Sequence, residues 1–384
     1  MKRFFVFASS FVDYNTGKLK IGGVETYIKD ISKLANGKGY EVTVYQMQPV
    51  QEEKCFHFDD FDVKFVNAHN PKDWQRIFDK VFMEFGENCN LYLIASDQFD
   101  IESKSAKVIT IQHGIAFDIP ASMITGFWGK NRFLNHINKM LRCIRNVQRF
   151  YMTRNTVCVD YNYYNWVRTL GSIYPEKKVK VIPNYCSQHI TEEELKSKLA
   201  NLKSEKKIVF ARRFVDYRGT LLFANVIKRL FVVHPELDVT FAGDGPCKQQ
   251  VVDMFHGDER VHFTSFTADE SINFHKQFDI SVVPTIFSEG TSLSLCEAMA
   301  AGCFPICTHV GGMTNIILDF FNGLSCAPTE DDLYNAIKEA VEMPVAEFNE
   351  IVINSYKTAK RAFGLNHWRK SWSKFIDDIS SLKI

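Results

Sequence analysis

Two glutamates with a defined spacing are the residues of this chain best suited to chemistry. Glu289 and Glu297 have seven residues between them, within the stretch SEGTSLSLCEAMAAG at positions 288–302. Carboxylates accept hydrogen bonds from hydroxyl groups, so two of them around a helix start suit the recognition of a sugar or a ribose. Two solvated acids beside an ordinary core helix are the alternative interpretation of the same pattern.

Backbone amides at the start of this helix add a second kind of chemistry. The predicted N-cap is Thr291 or Ser292, because a hydroxyl there can accept a hydrogen bond from an amide of the first turn. The uncapped amides run from Gly290 through Thr291 and Ser292 to Leu293, and the helix dipole helps them to bind an anion. Amides for a phosphate, together with carboxylates for hydroxyl groups, indicate a sugar-nucleotide site.

The elements around these residues place them at the edge of a sheet. The apolar run Ile280–Pro284 predicts a strand, and a helix of about three turns follows the loop. Gly302 ends the helix, and Cys303–Cys307 predicts the next strand. This order is typical of a doubly wound α/β domain, in which ligands bind outside the carboxyl ends of the strands. Glu289 is therefore expected at that edge.

The spacing of Glu289 and Glu297, with Ala-Met-Ala-Ala-Gly after the second, resembles the E-x7-E signature of family 4 retaining glycosyltransferases. The resemblance implies the GT-B fold, an α/β architecture with two Rossmann-like doubly wound domains facing a central cleft. It places an acceptor-side domain in residues 1–187, a nucleotide-sugar domain in residues 188–362, and a last helix, 363–384, back on the first domain. It also implies that Glu289 holds the donor sugar and that Glu297 binds the ribose hydroxyls.

A basic loop follows the first predicted strand of the second half. Arg212, Arg213 and Arg218 come after the strand Lys207–Ala211, where guanidinium groups can bind a diphosphate through forked contacts. An exposed basic loop is the alternative. The segment resembles the family's G-R-L…K-G motif, so that Arg213 and Arg218 are implied to stabilise the leaving diphosphate. Arg212 stands where the family has glycine, which leaves open which of the two neighbouring arginines binds the diphosphate.

Two features of the first half complete the predicted site. Gly22 and Gly23 stand at the start of a predicted helix, where backbone can approach a ligand closely. They resemble the family's GG-V-E loop near the donor phosphates and the acceptor. His113 follows the strand Lys107–Ile111 at its carboxyl end, where a histidine that only caps the strand is the alternative. The resemblance implies that His113 contacts the donor sugar near the reacting centre.

A long basic helix is predicted between positions 119 and 159, a stretch without an acidic residue. Cations recur on one face and apolar residues on another, at spacings of three and four. The cations are Lys139, Arg142, Arg145 and Arg149, and the apolar residues are Phe133, Ile137, Met140, Ile144, Val147 and Tyr151. Two interpretations stay open: a packed helix of the Rossmann-type domain, or a patch for an anionic membrane surface or a lipid-pyrophosphate acceptor.

Composition argues against several other classes of protein. The 384 residues carry a formal net charge of +1, which gives no indication of nucleic-acid binding. The ten cysteines form no C-x-x-C pair, as expected for reduced thiols in a cytosolic protein. No apolar run reaches transmembrane length, and the apolar residues after Met1 lack a signal-peptide cleavage pattern. No metal site and no cofactor is predicted.

The residues and the resemblance together predict a retaining, metal-independent glycosyltransferase. It would transfer a hexose-type sugar from a nucleotide-diphosphate donor to a glycan or polyprenyl-pyrophosphate-linked acceptor. UDP is the favoured donor nucleotide, and GDP is the alternative. The expected setting is bacterial surface-polysaccharide assembly, such as O-antigen or capsule, in the cytoplasm or on the inner face of the membrane. A non-catalytic homologue that binds nucleotide and scaffolds a partner is the main alternative, and a GT-B phosphorylase or nucleotide-sugar epimerase is another.

Overall fold

The computed structural model describes residues 1–20, 22–115, 118, 131–171, 177–203 and 205–382. The chain forms two compact units, each built around one sheet. Unit 1 contains Met1–His113, Ile137–Ile182 and Trp368–Ile384, and unit 2 contains Gly114–His136 and Pro183–His367. The sheets consist almost entirely of parallel strands joined through helices, so the prediction of two Rossmann-like α/β domains is confirmed.

The sheet of unit 1 is assembled from eight strands. They are β1 Lys2–Ala8, β2 Tyr40–Gln48, β3 Cys55–Phe58, β4 Phe61–Asn67, β5 Leu91–Ile94, β6 Val108–Gln112, β7 Asn155–Cys158 and β8 Lys178–Val181. Their order is β3-β4-β2-β1-β5-β6-β7-β8, and only the pair β3 and β4 is antiparallel. Parallel strands end at a common edge, so His113, directly after β6, lies at the carboxyl edge of this sheet.

Among the described residues, four helices connect these strands. They are α1 Gly23–Gly37, α2 Pro71–Phe85, α3 Arg132–Tyr151, which belongs to unit 1 from Ile137 onwards, and α4 Tyr161–Leu170. Local sequence explains where two of them begin. The side chain of Asn70 accepts from the amides of Lys72 and Asp73 ahead of α2, and Asp160 accepts from the amide of Tyr163 ahead of α4.

The sheet of unit 2 has six parallel strands. They are β9 Lys207–Ala211, β10 Asp238–Ala242, β11 Val261–Thr264, β12 Ile280–Val283, β13 Phe304–Thr308 and β14 Leu324–Cys326, in the order β11-β10-β9-β12-β13-β14. The register pairs Ile208 of β9 with Ile280 of β12. The loops that follow these two strands therefore begin side by side, and these are the loops that carry the predicted arginines and Glu289.

Helices pack on both faces of this sheet and enclose a continuous apolar core. They are α5 Glu192–Ala200, α6 Thr220–Val233, α7 Lys248–Met254, α8 Ser271–His275, α9 Leu293–Ala300, α10 Glu330–Glu342 and α11 Val345–Ala362. Phe210, Phe241 and Ile280 on the central strands are fully buried. Apolar strands covered on both sides are characteristic of a parallel sheet, and they give the site loops a rigid base.

The last helix, α12 Leu365–Ser380, belongs to unit 1 from Trp368 onwards. Lys107, which is 4% exposed, fixes its carboxyl end. The ammonium group of Lys107 donates to the carbonyls of Ile379 at 3.2 Å, Ser380 at 2.8 Å and Leu382 at 2.8 Å. A cation at a helix carboxyl end satisfies terminal carbonyls and the helix dipole together.

Helix α3 is present, and two of its four cations form ion pairs with a loop of unit 1. Asp100, on the loop after β5, pairs with Arg145 at 2.6 Å and also with Arg149. The single carboxylate of Asp100 offsets one of the two positive charges that it contacts, and the binding of a membrane by α3 remains a prediction. Helix α3 also carries an exposed apolar stripe, formed by Met140, Leu141 and Ile144, which are 66%, 56% and 54% exposed. Among the described residues, no helix combines the length and apolarity needed to span a bilayer.

Candidate active site

The loop after β12 carries Glu289, and its conformation is held by contacts within unit 2. Ser288 has a positive φ of 48°, a strained conformation for a residue other than glycine. Its amide donates to Asp118 Oδ2 at 2.9 Å, and its hydroxyl donates to Ile115 O at 3.2 Å. These hydrogen bonds stabilise the strained residue and, with it, the position of the neighbouring glutamate.

Two glycines permit close packing around this loop. A Cβ atom at Gly311 would lie 1.8 Å from the carbonyl oxygen of Glu289, and its φ of +55° also favours glycine. The next amide, of Gly312, donates to that same carbonyl at 3.0 Å. A Cβ atom at Gly219 would lie 1.8 Å from the carbonyl oxygen of Pro284. Larger residues at these positions would push the loop and its carboxylate out of place.

Glu289 is the centre of a buried ionic cluster. Its Oε2 accepts hydrogen bonds from Arg212 Nη2 at 2.6 Å, from Thr285 Oγ1 at 3.0 Å and from Arg218 Nη1. The side chains of Arg212, Glu289 and Arg218 are 8%, 9% and 25% exposed. Burial alone favours the neutral acid, but the two guanidinium groups outweigh it and lower the pKa of Glu289. Glu289 is therefore charged at neutral pH.

The two neighbouring arginines after β9 lie in different environments. The amide of Arg212 donates to Ala242 O at 3.0 Å, which continues the pairing of β9 with β10. Successive side chains along a strand point to opposite faces, and Arg213 is exposed while Arg212 turns towards Glu289. Alignment with the family motif points to Arg213, whereas the structure brings Arg212 and Arg218 together and leaves Arg213 outside the cluster.

Helix α9 is shorter than predicted, and its N-cap lies at one of the two predicted residues. It spans Leu293–Ala300, eight residues, which is about two turns and not three. Ser292 occupies the N-cap position, but its side chain makes no capping hydrogen bond. The chain is buried here from Gly290 to Ser292, and the carbonyl of Thr291 accepts from Asn184 Nδ2 at 2.9 Å. The binding of an anion by the amides from Gly290 to Leu293 remains a prediction.

Glu297, on α9, has a different partner. Its Oε2 accepts from Ser271 Oγ, at the start of α8, at 2.7 Å. Burial raises the pKa of Glu297 to about 7, and the Ser271 hydrogen bond opposes that rise only in part. The pKa values of the two glutamates therefore shift in opposite directions. Two cations favour the charged form of Glu289, whereas burial favours the neutral form of Glu297.

Ser271 and Thr285 are site residues that sequence reasoning did not identify. Each places a hydroxyl on one of the two glutamates, and each is 2% exposed or less. Thr285 comes two residues after β12, so a hydroxyl at a strand's carboxyl end was an available signal. Ser271 opens a five-residue helix, and nothing in its sequence context indicates a contact with Glu297.

His113 lies in unit 1, and its contacts there define its protonation. Nε2 is 2.8 Å from the carbonyl oxygen of Ala95. Burial lowers the pKa of His113, although the bond to Ala95 opposes this, so the ring is neutral at neutral pH. Because a carbonyl oxygen can only accept, Nε2 must carry the hydrogen, and Nδ1 keeps its lone pair. His113 can therefore accept a hydrogen bond from a hydroxyl group.

Gly22 and Gly23 form the start of α1, also in unit 1. Gly23 is the first helical residue, and Gly22 occupies the N-cap position without a side chain to cap it. Glu25 lies in the first turn, near the positive end of the helix dipole. The backbone at this helix start is accessible to a ligand. The role of the two glycines in binding remains a prediction.

Comparison with known proteins finds a family match within the second half of the chain. Residues 191–358 match the family described as "Glycosyl transferases group 1", a range that contains the whole ionic cluster and Glu297. The chain is 22% identical over 220 residues to the lipopolysaccharide 1,2-N-acetylglucosaminetransferase of Salmonella typhimurium, covering 52% of this chain and 58% of that protein. The matched parts cover 24%, 58% and 49% of the first three curated relatives, so the chain spans less than two thirds of the length of each.

Solved structures match over the whole chain. The sucrose-phosphate synthase from Thermosynechococcus elongatus superposes with a TM-score of 0.73 at 12% identity, covering 98% of this chain and 99% of that one. HepE of Anabaena, solved in complex with UDP, has a TM-score of 0.68 at 13% identity and covers 100% of both chains. At such identities the likeness concerns the fold, and the predicted GT-B fold is confirmed.

Proposed function

From the match of residues 191–358 to the group 1 glycosyl transferases, we propose that this chain belongs to that family and is a retaining, metal-independent hexosyltransferase. It takes a hexose-type sugar from a nucleotide diphosphate and passes it to a glycan or lipid-linked acceptor. The cluster of Arg212, Arg218 and Glu289 carries the proposal. Two guanidinium groups at the carboxyl edge of a parallel sheet are placed to bind a diphosphate.

Each site residue has a role in this reaction. Arg212 and Arg218 bind the diphosphate and stabilise the charge that grows on it as the bond to the sugar breaks. Glu289 orients the two arginines and accepts from the donor sugar, Glu297 accepts from the ribose hydroxyls, and His113 accepts from a hydroxyl through Nδ1. The acceptor oxygen forms the new bond to the anomeric carbon on the face that the diphosphate leaves, and its proton passes to the departing phosphate oxygen.

The donor and the pathway are finer parts of the same proposal. We favour a UDP-sugar, with GDP as the alternative, and the fold similarity to HepE in complex with UDP supports that choice. We favour an acceptor in bacterial surface-polysaccharide assembly, such as a polyprenyl-pyrophosphate-linked glycan made in the cytoplasm. The partial likeness to a lipopolysaccharide N-acetylglucosaminetransferase supports this setting.

A donor panel tests the proposed function. The chain is mixed with UDP-, GDP- and ADP-sugars, and thermal unfolding identifies the nucleotide that binds. The preferred donor is then supplied with simple acceptors, and NMR of the anomeric proton follows the product. We expect transfer, or slow hydrolysis, with the donor's anomeric configuration kept. A chain that binds nucleotide but leaves every donor intact would instead be the scaffolding homologue.

Donor binding should depend on pH through Glu297. The charged carboxylate accepts hydrogen bonds on both oxygens, whereas the protonated form places a hydrogen on one of them. Because burial raises the pKa of Glu297 to about 7, affinity for a UDP-sugar should rise with pH through neutrality. Isothermal titration should show a gain of up to about tenfold between roughly pH 6 and pH 8 in the wild type. An equal gain in Glu297→Gln would assign the effect to another group.

We also propose that the apolar stripe of α3 contacts an anionic membrane. Its three aliphatic side chains are exposed on adjacent turns, Lys139 directly precedes them in sequence, and Arg142 lies between Leu141 and Ile144. Aliphatic groups can enter the boundary of the acyl chains while cations bind anionic headgroups, which is how interfacial helices attach. Such attachment would bring the enzyme to a lipid-linked acceptor at the inner face of the membrane.

Liposome co-sedimentation tests this attachment. Changing Met140, Leu141 and Ile144 together to serine should weaken binding to anionic liposomes at least about tenfold, because each buried aliphatic side chain contributes about 1.5–3 kcal/mol. The matched control changes Val232 and Val233, which are 82% and 51% exposed at the end of α6, to serine. The proposal fails if the wild type ignores anionic liposomes at low salt, or if the stripe variant and the control bind alike.

A further inference from the structure

An aromatic cluster in unit 1 supports the ring of His113. Tyr27, on α1, is 3% exposed and meets the imidazole edge-on, with ring centroids 5.6 Å apart and planes at 88°. On its other sides Tyr27 packs against Trp368 at 5.1 Å and Trp372 at 6.1 Å, both on α12. Edge-to-face pairs at such distances have a favourable and directional geometry.

The hydroxyl of Tyr27 is held by a hydrogen bond, in addition to the packing of its ring. Trp372 Nε1 donates to Tyr27 Oη at 2.6 Å, and Trp372 is fully buried. Trp368, which also packs on the ring, is 2% exposed. Movement of Tyr27 would therefore leave a buried indole N–H without this partner and open a gap between two tryptophans, both of which cost free energy.

The imidazole is consequently held from two directions. Ala95 fixes the Nε2 end through a hydrogen bond, and Tyr27 blocks rotation of the ring from the side of α1. A flip about the Cβ–Cγ bond would exchange Nε2 with Cε1 and Nδ1 with Cδ2. The carbonyl of Ala95 would then lose its N–H donor, and the lone pair of Nδ1 would no longer face the same way. Glu25, also on α1, is the charged group that acts on the titration of His113.

We propose that Tyr27 is a positioning residue for His113: clamped by Trp368 and Trp372, it keeps the imidazole in the one orientation and tautomer that presents Nδ1 as an acceptor to a substrate hydroxyl. The inference rests on the proposed function in giving His113 a place beside the reacting sugar. It gives the carboxyl-terminal helix a second task besides packing, because two of its tryptophans fix the residue that orients the histidine.

The test compares Tyr27→Leu and Tyr27→Phe with a matched control. Tyr27→Leu removes the ring that contacts His113, whereas Tyr27→Phe keeps the ring and removes only the hydroxyl, with its bond from Trp372. The control is Tyr92→Leu, because Tyr92 is also fully buried, and its ring packs on Phe5, Phe78 and Phe82 instead. NMR of the histidine ring nitrogens reports the tautomer and the titration of His113 in each variant.

We expect Tyr27→Leu to mix the two tautomers of His113 and to raise its pKa, since the ring loses a buried neighbour. Turnover should fall about tenfold while the KM for the donor changes less than about threefold, because orientation matters more at the transition state than in binding. Tyr27→Phe should restore most of the wild-type spectrum and turnover. A His113 spectrum unchanged in Tyr27→Leu, or changed equally in Tyr92→Leu, would overturn the proposal.

The two readouts separate this inference from the proposed function. If the wild type transfers no sugar, the proposed function fails, and the NMR comparison still decides whether Tyr27 positions the imidazole. If Tyr27→Leu does not fold, Tyr27→Met replaces it, because methionine also removes the aromatic ring beside His113 while filling more of its volume. A wild-type His113 spectrum in Tyr27→Met would then overturn the proposal.

Discussion

Replacing Arg212 with alanine should lower kcat/KM for the nucleotide-sugar by about 10³-fold, whereas Arg213→Ala should change it less than about threefold. The two arginines are adjacent in sequence and identical in charge, so the pair forms its own control. Only Arg212 lies in the cluster, with 8% of its side chain exposed and its Nη2 on Glu289. A charge beside the diphosphate acts mainly when the bond to the sugar breaks, and most of the loss should appear in kcat.

Steady-state transfer assays check this pair, with thermal unfolding of each variant alongside. Arg212→Ala also deprives Glu289 of one cation, so a loss of stability must be separated from a loss of catalysis. Arg212→Lys helps, because it keeps the charge but not the forked geometry, and an intermediate turnover is expected. If Arg213→Ala lost the activity and Arg212→Ala kept it, the family alignment would be right and the cluster would be structural.

The architecture followed from local patterns because those patterns have local physical causes. The strand at Ile280–Pro284, the helix after Glu289 and the stop at Gly302 each depend on residues a few positions apart, and the structure contains all three elements. The fold class follows from the same alternation, because βα units with apolar strands build parallel sheets. The length of α9 could not be predicted from these local patterns. The side chain of Ser292 makes no capping hydrogen bond, and the helix begins only at Leu293.

The contacts of the site could not be predicted in the same way. Glu289 meets Arg212 across 77 positions of sequence, and this depends on β9 and β12 being neighbours in the sheet. The choice between Arg212 and Arg213 depends on which face of a strand end each side chain takes. The pairing of α3 cations by Asp100 is also a long-range contact, and a helical pattern alone carries no information about it.

The ionic cluster also shows how one carboxylate can prepare a site for a diphosphate. Without ligand, Oε2 of Glu289 receives both guanidinium groups and a hydroxyl, which offsets their charge and limits their rotamers. A diphosphate that binds these arginines therefore finds them ordered in advance, and little conformational entropy remains to be lost. Because the ligand and Glu289 share the same two cations, the free energy of diphosphate binding must be coupled to that of the ion pairs of Glu289.

Glu289→Gln should lower the free energy of unfolding at neutral pH by about 3–5 kcal/mol, because two buried guanidinium groups lose their counter-ion. The folded pKa of Glu289 lies below its ordinary value of 4.5, so the charged form stabilises the fold. That stabilisation is complete well above pH 4.5 and is lost as the pH falls through the lowered, folded-state value. The wild type and the variant should therefore converge in stability at acid pH.

Glu297→Gln is the matched control, since it makes the same substitution in the same signature with the opposite expected sign. Burial raises the pKa of Glu297 to about 7, so its charge destabilises the fold increasingly as the pH rises through that value. Removing the charge should leave stability unchanged or raise it at alkaline pH.

Urea unfolding of the three proteins across the pH range, with and without UDP, measures all of these effects. UDP should stabilise Glu289→Gln more than the wild type, because its diphosphate replaces the missing negative charge between Arg212 and Arg218. An equal or smaller gain from UDP in the variant would mean that the diphosphate binds elsewhere.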